Sequence, residues 1–156
     1  SLIRYSRVKE NTTENAEKSK IENRKSKIDA VVLGDTMGDL RKFYCLASVI
    51  FVGRSLVPMG GSDMMEAAAL GRCTIFGPHT FNFRQTVEAL LASQGAIEVK
   101  DGGDLLVTMK KCLSDPQYAR TIGQAGQAVI RQNQGATART IEALSRMLHV
   151  KSGRNI

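Results

Sequence analysis

The chain has 156 residues, of which 42% are apolar and 5% aromatic, and a formal net charge of +7. This is enough for one ordinary domain with its own core and too little for two comfortable ones. The positive charge is scattered rather than gathered on one helix or interleaved with aromatics, which argues against a nucleic-acid partner and leaves a mild attraction to anionic lipid headgroups or phosphorylated ligands.

In chain order, "LIRYSRV" reads as a first strand. It starts abruptly and without an initiator Met, as expected of a piece of something longer, and it has no signal-peptide architecture. No stretch reaches the roughly 18 uninterrupted apolar residues of a membrane span. Residues 9–28, including "EKSKIENRKSK", are polar with mixed charge and are expected to form a solvated, mobile loop. The apolar runs "AVVLG", "VIFVG", "TIFG" and "AIEV" follow, with helical patterns between them. That alternation predicts an α/β fold: a Rossmann-like parallel sheet with helices on both faces.

Between the second and third runs, Leu40, Phe43, Tyr44 and Ala47 share one helical face. "NFRQTVEALLASQ" repeats the pattern, with Asn82 as the expected cap and Gly95 as the expected stop. "GDLLVTMKKCLSD" does so again and ends before Pro116. Two closing helices are expected, roughly 117–132 and 136–149. Ile122, Val129 and Ile130 line the first, and Ile141, Leu144 and Leu148 the second, packed across the sheet end or onto a neighbouring domain. Cys45, Cys73 and Cys112 are odd in number and widely spaced within apolar patterns, which suits reduced core thiols and gives no metal site or disulfide framework.

In a parallel sheet the carboxyl ends of the strands share one edge, where ligands bind. Three loops there are rich in Gly and polar residues: "GDTMGDL", "GRSLVPMGGSDMME" and "GPHTFNF". In the second, Gly60 and Gly61 permit close backbone approach, Ser62 or Asp63 caps the Ala-rich helix, and the amides at its start suit a phosphate. Glu66 lies at Asp63 plus three, placed either for a ribose diol or for a capping box. The first loop reads equally as ligand contact or as a plain turn with Asp39 as the cap. His79 in the third loop reads more readily as structural than as catalytic. Neither a Walker lysine motif, a G-x-G-x-x-G fingerprint nor a triad order is present.

From Leu33 to Phe83, "LGDTMGDLRKFYCLASVIFVGRSLVPMGGSDMMEAAALGRCTIFGPHTFNF" resembles the carboxyl-terminal half of the 3-deoxy-D-manno-octulosonic acid (Kdo) transferases. The family pattern reads approximately G-D-T-M-G-E-L, F-V-G-G-S-L-V-P-x-G-G-H-N-x-x-E-P-A and G-P-H-T-x-N-F. The resemblance continues more weakly through "NQGATARTIEALSRML". It implies the donor-nucleotide-binding domain of a GT-B glycosyltransferase that moves Kdo from CMP-Kdo to a lipid A precursor with inversion, at the cytoplasmic face of the bacterial inner membrane, without a cofactor.

The donor site so implied comprises Met37, Gly38, Asp39, Ser55, Gly60, Gly61, Ser62, Asp63, Met64, Met65 and Glu66, with Arg54 and His79 as additional contacts. The catalytic Glu of the family lies in an amino-terminal acceptor domain that this sequence does not contain, nor does it contain the donor loop upstream of "LIRYSR", so the chain alone is expected to be inactive. Asp39 stands for the family's Glu, Arg54 for Gly, Ser62 for His, Asp63 for Asn and Ala67 for Pro. Those departures keep two alternatives open: a non-catalytic GT-B-like scaffold, and a transferase using another nucleotide sugar.

Overall fold

Two parallel ladders organise the chain in a computed structural model that describes residues 2–5, 31–133, 135 and 140–147. They belong to two compact units, residues 1–46 and 47–156. The expected loop at 9–28 lies outside the described residues.

In the first unit, β1 (Leu2–Arg4) pairs in parallel with β2 (Val31–Leu33), Leu2 opposite Val31, and α1 (Leu40–Leu46) follows. Phe43 anchors this helix, because its ring fills the space beside Gly34 and meets Tyr5 edge-on at 4.7 Å. The buried strand expected at "AVVLG" is instead exposed at Val31, Val32 and Leu33. A two-stranded ladder has two faces, and α1, with none of its seven residues buried, is not packed closely enough to bury them.

The second unit has the strand order β3-β4-β5, all parallel: β3 (Val49–Val52), β4 (Cys73–Phe76) and β5 (Ile97–Glu98). β4 is central, and each of its residues is buried, the mark of a strand covered on both faces. Its Cys73 and Ile75 join Val99, Cys112, Ala119 and Ile122 in the core. The connections carry α2 (Met65–Ala69) and α3 (Arg84–Ala92), and α4 (Gly102–Ser114) and α5 (Pro116–Asn133) complete the cover. The expected core positions Ile122, Val129 and Ile130 are buried along α5. β5 is a two-residue edge strand.

Several local expectations change. The turn after α3 takes its left-handed residue from Gln94 (φ +54°), not from Gly95. Gly95 is needed elsewhere: a Cβ there would sit 2.6 Å from the backbone of Gly126 on α5. Gly123, one turn earlier, meets the carbonyl of Gly71 in the same way. Asn82 does not cap α3; it lies within a short 3-10 turn, Phe81–Phe83, and the cap position falls to Phe83. Residues 140–147 are helical, but Ile141 and Leu144 are exposed rather than packed on the sheet, and Leu148 lies outside the described residues. Cys45 is exposed, whereas Cys73 and Cys112 are buried with their sulfurs 3.7 Å apart. Burial first, and the neighbouring Cys112 second, push the Cys73 thiol up from 9.0 to about 12.

Three measurements check this packing. Gly to Ala inside a helix ordinarily stabilises, but Gly123→Ala drives a methyl into the Gly71 carbonyl and is expected to lower unfolding stability by about 1 to 3 kcal/mol in a urea titration. Arg54 has φ +60°. Arg54→Gly relieves that conformation at some cost in chain entropy, and a gain of about 0.5 to 1 kcal/mol is expected in thermal unfolding. An aromatic disulfide reagent is expected to modify Cys45 promptly and to reach Cys73 and Cys112 only on unfolding. Because the folded state holds the Cys73 proton more tightly, its stabilising contribution is complete below pH 9.0 and is lost as pH climbs through about 12.

Candidate functional site

The carboxyl edge of the second sheet carries the loops after β3 and β4, and they are tied together by the backbone and one hydroxyl. Ser55 is fully buried; its Oγ donates to the Val52 carbonyl at 2.6 Å and accepts from the Gly77 amide at 2.8 Å. The Ser55 carbonyl accepts from the His79 amide at 2.9 Å. Gly77 has to be glycine because a Cβ would collide with that same carbonyl. Ser55, expected to contact donor, therefore serves as the clamp between the loops. Gly77 and Asn82 complete the clamp, and the motif "GPHTFNF" was their visible signal.

The glycine pair is shaped by the same contact. Gly60 (φ +85°) and Gly61 (φ +79°) turn the chain through conformations that side chains resist. The Asn82 side-chain amide occupies the place of a Gly60 Cβ, and the Asn82 backbone amide donates to the Gly60 carbonyl at 3.4 Å. Gly61 donates its amide to the Arg54 carbonyl at 3.1 Å, closing the loop onto its own start. Of the amides expected to face a phosphate, that one is already taken.

Beyond the glycines, α2 begins later than its polar residues suggested. Its cap is Met64, and neither Ser62 nor Asp63 holds that position. Asp63 Oδ1 accepts from the Met65 amide at 2.7 Å, a local turn that competes with a capping box. The amides of Ser62, Asp63 and Glu66 meet no acceptor among the described residues. The Glu66 side chain is exposed and bonded to no described residue, so the capping-box alternative is not formed. Met64 is fully buried and packs as core. Met65 lines a cavity of about 200 Å³ with Gln85 and Asn133, from α3 and α5. Arg54 is exposed and forms no ion pair with Asp63 among the described residues. The His79 backbone is fixed by Ser55, and its side chain is half-buried.

The loop after β2 belongs to the first unit. Met37 is 99% exposed and Gly38 has φ +82°. Asp39 is 3% exposed, its carboxylate accepting from Thr36 Oγ1 at 2.7 Å and from Lys42 Nζ at 2.8 Å. Its carbonyl accepts from the Lys42 and Phe43 amides as α1 begins. Asp39 thus bonds within its own turn. The hydrogen bond to Asp39, and then the attraction of its charge, raise the Lys42 pKa above its ordinary value.

No protein-family model matches the chain. It is 36% identical over 114 residues to a 3-deoxy-D-manno-octulosonic acid transferase of Bordetella pertussis, covering 73% of this chain and 27% of that protein. A transferase of the same name from Haemophilus influenzae is 37% identical over 115 residues, with 73% and 27% covered. The chain thus spans about a quarter of the length of these relatives. Among solved structures, the C-terminal CMP-Kdo binding domain of WaaA from Acinetobacter baumannii superposes with a TM-score of 0.61 at 31% identity, over 64% of this chain and 52% of that one. Sucrose-phosphate synthase from Thermosynechococcus elongatus shares the fold alone, with a TM-score of 0.57 at 19% identity over 94% of this chain and 34% of that one. With a parallel α/β unit and this likeness in both sequence and fold, the chain belongs to the 3-deoxy-D-manno-octulosonic acid transferase family.

Proposed function

We propose that this chain is the part of a Kdo transferase that holds CMP-Kdo, with the cytidylate seated against the loops after β3 and β4. The observation that carries the reading is Glu66. Its carboxylate is exposed at the start of α2 and bonded to no described residue, beside the open amides of Ser62 and Asp63. A carboxylate accepts two hydrogen bonds from a ribose diol, while neutral amides donate to phosphate oxygens.

The chemistry asked of such a site is modest and specific. Cleaving the bond between Kdo and CMP leaves negative charge on the departing phosphate, and fixed donors aimed at those oxygens favour that moment over the ground state. α2 has only five residues, so its dipole is small and the individual amides carry the effect. Arg54, exposed at the start of the loop, adds a cation within the same segment. A general base from an acceptor domain would take the proton of the sugar hydroxyl on a lipid A precursor, with inversion, at the cytoplasmic membrane face. Among the described residues no helix is long and apolar enough to cross a membrane.

One observation favours the scaffold alternative: the Asp63 carboxylate lies beside the amides that a phosphate would need. Calorimetric titration separates the readings. CMP is expected to bind in preference to UDP and ADP, and Glu66→Ala is expected to weaken CMP about tenfold, the loss of a charge-assisted hydrogen bond. Equal affinity in both proteins removes Glu66 from the site. UDP or ADP bound more tightly than CMP points to another nucleotide sugar, and no binding of any of the three favours the scaffold.

A further inference from the structure

Asn82 is the middle residue of the short 3-10 turn Phe81–Phe83, at the end of the loop that Ser55 ties down. Its backbone is committed, because its amide donates to the Gly60 carbonyl at 3.4 Å. Its carboxamide is placed by the same neighbour but bonds to nothing: a Cβ on Gly60 would overlap Asn82 Nδ2 and lie 2.8 Å from Cγ, so the group rests on the Gly60 backbone. Asn82 is exposed, and its side chain has no hydrogen-bond partner among the described residues. Phe81 Cε2 lies 3.0 Å from that same point, so an aromatic edge and an open N–H donor flank the glycine together. Two and three residues beyond Gly60 follow the open amides of Ser62 and Asp63.

We propose that Asn82 is a specificity-determining residue for the transferred sugar, its carboxamide N–H groups donating to the sugar carboxylate while the amides of Ser62 and Asp63 donate to the phosphate. The inference rests on the reading of this edge as a CMP-Kdo site. Kdo is a 2-keto sugar acid, so the carbon that bears the phosphate oxygen in CMP-Kdo bears a carboxylate as well. A site for this donor has to meet two anions on one carbon, whereas a site for a neutral sugar nucleotide meets one. Anions so close repel each other, and each loses water on binding unless the protein supplies a donor in its place.

A carboxamide suits this task because it offers two N–H donors and adds no charge. Arg54 is the one cation between β3 and α2, and a mobile guanidinium attracts either anion alike. A donor resting on Gly60 has a fixed direction, and direction is what separates the carboxylate from the phosphate. Asp63, the acid of the same loop, has Oδ1 engaged by the Met65 amide. The Phe81 ring excludes water from one side of Gly60, where a hydrogen bond to an anion gains strength.

Two measurements test the assignment. In NMR of the chain, CMP-Kdo is expected to shift the side-chain N–H resonances of Asn82 saturably, and CMP to move them little. In calorimetric titration, Asn82→Leu keeps the volume over Gly60 and removes the donor. It is expected to weaken CMP-Kdo about tenfold while changing CMP by less than about twofold. Asn82→Asp, of the same shape, is expected to weaken CMP-Kdo further, and Asn82→Gln to recover part of the loss. Asn82 side-chain resonances unmoved by CMP-Kdo, or a CMP-Kdo to CMP affinity ratio unchanged in Asn82→Leu, would overturn the role of Asn82 and leave the CMP site standing. Failure of both nucleotides to bind the unaltered chain would overturn it together with the reading on which it rests.

Discussion

The Ser55 hydroxyl, sealed between the ends of β3 and β4, is the contact on which the carboxyl edge depends. It accepts from one amide and donates to one carbonyl, so it ties the ends of the two strands together where their loops begin. Gly77 is confined by the Ser55 carbonyl, the His79 amide is drawn to it, and Asn82 is then positioned to fill the space over Gly60. The shape of the glycine turn is thus decided more than twenty residues downstream of it. A site formed this way is set before any ligand arrives, which is what electrostatic assistance to a leaving group requires.

A second constraint acts through α5. Gly123 and Gly126 bring this helix against Gly71 and Gly95 at distances that no side chain tolerates, on either side of β4 in sequence. Gln127 adds a hydrogen bond from its side-chain amide to the Ala69 carbonyl at 2.9 Å. The helix therefore fixes the turn between α2 and β4 and the turn after α3 together.

Much of this was readable from the residues, and what was not has common causes. Runs such as "VIFVG" and "TIFG" announce parallel strands because they are too continuous for one-sided burial, and the Ile122, Val129 and Ile130 spacing announces the buried face of α5. The family likeness rests on three ordered loop motifs, which local chemistry makes distinctive. Pattern failed where one residue type serves two purposes. Gly95 looked like a helix stop but was reserved for Gly126, which passed the left-handed turn to Gln94. Ser55 and Met64, in the middle of a polar loop motif, turned inward because the loop needs its own small core. Asp39 and Asp63 spend their carboxylates on nearby donors, as short acidic side chains readily do. Each of these outcomes depends on a neighbour distant in sequence or on a competition among local bonds, and neither leaves a periodic trace.

The brevity of β5 also matters beyond this chain's own architecture. An outermost strand invites copies of itself or other extended segments to zip onto its free amides and carbonyls, a hazard that grows with every added rung. With Ile97 and Glu98 as its whole length, this margin offers so few rungs that a foreign strand gains almost nothing by joining, and the acidic side chain discourages stacking further. Shortness and charge together disfavour growth of the sheet into a fibre at that side.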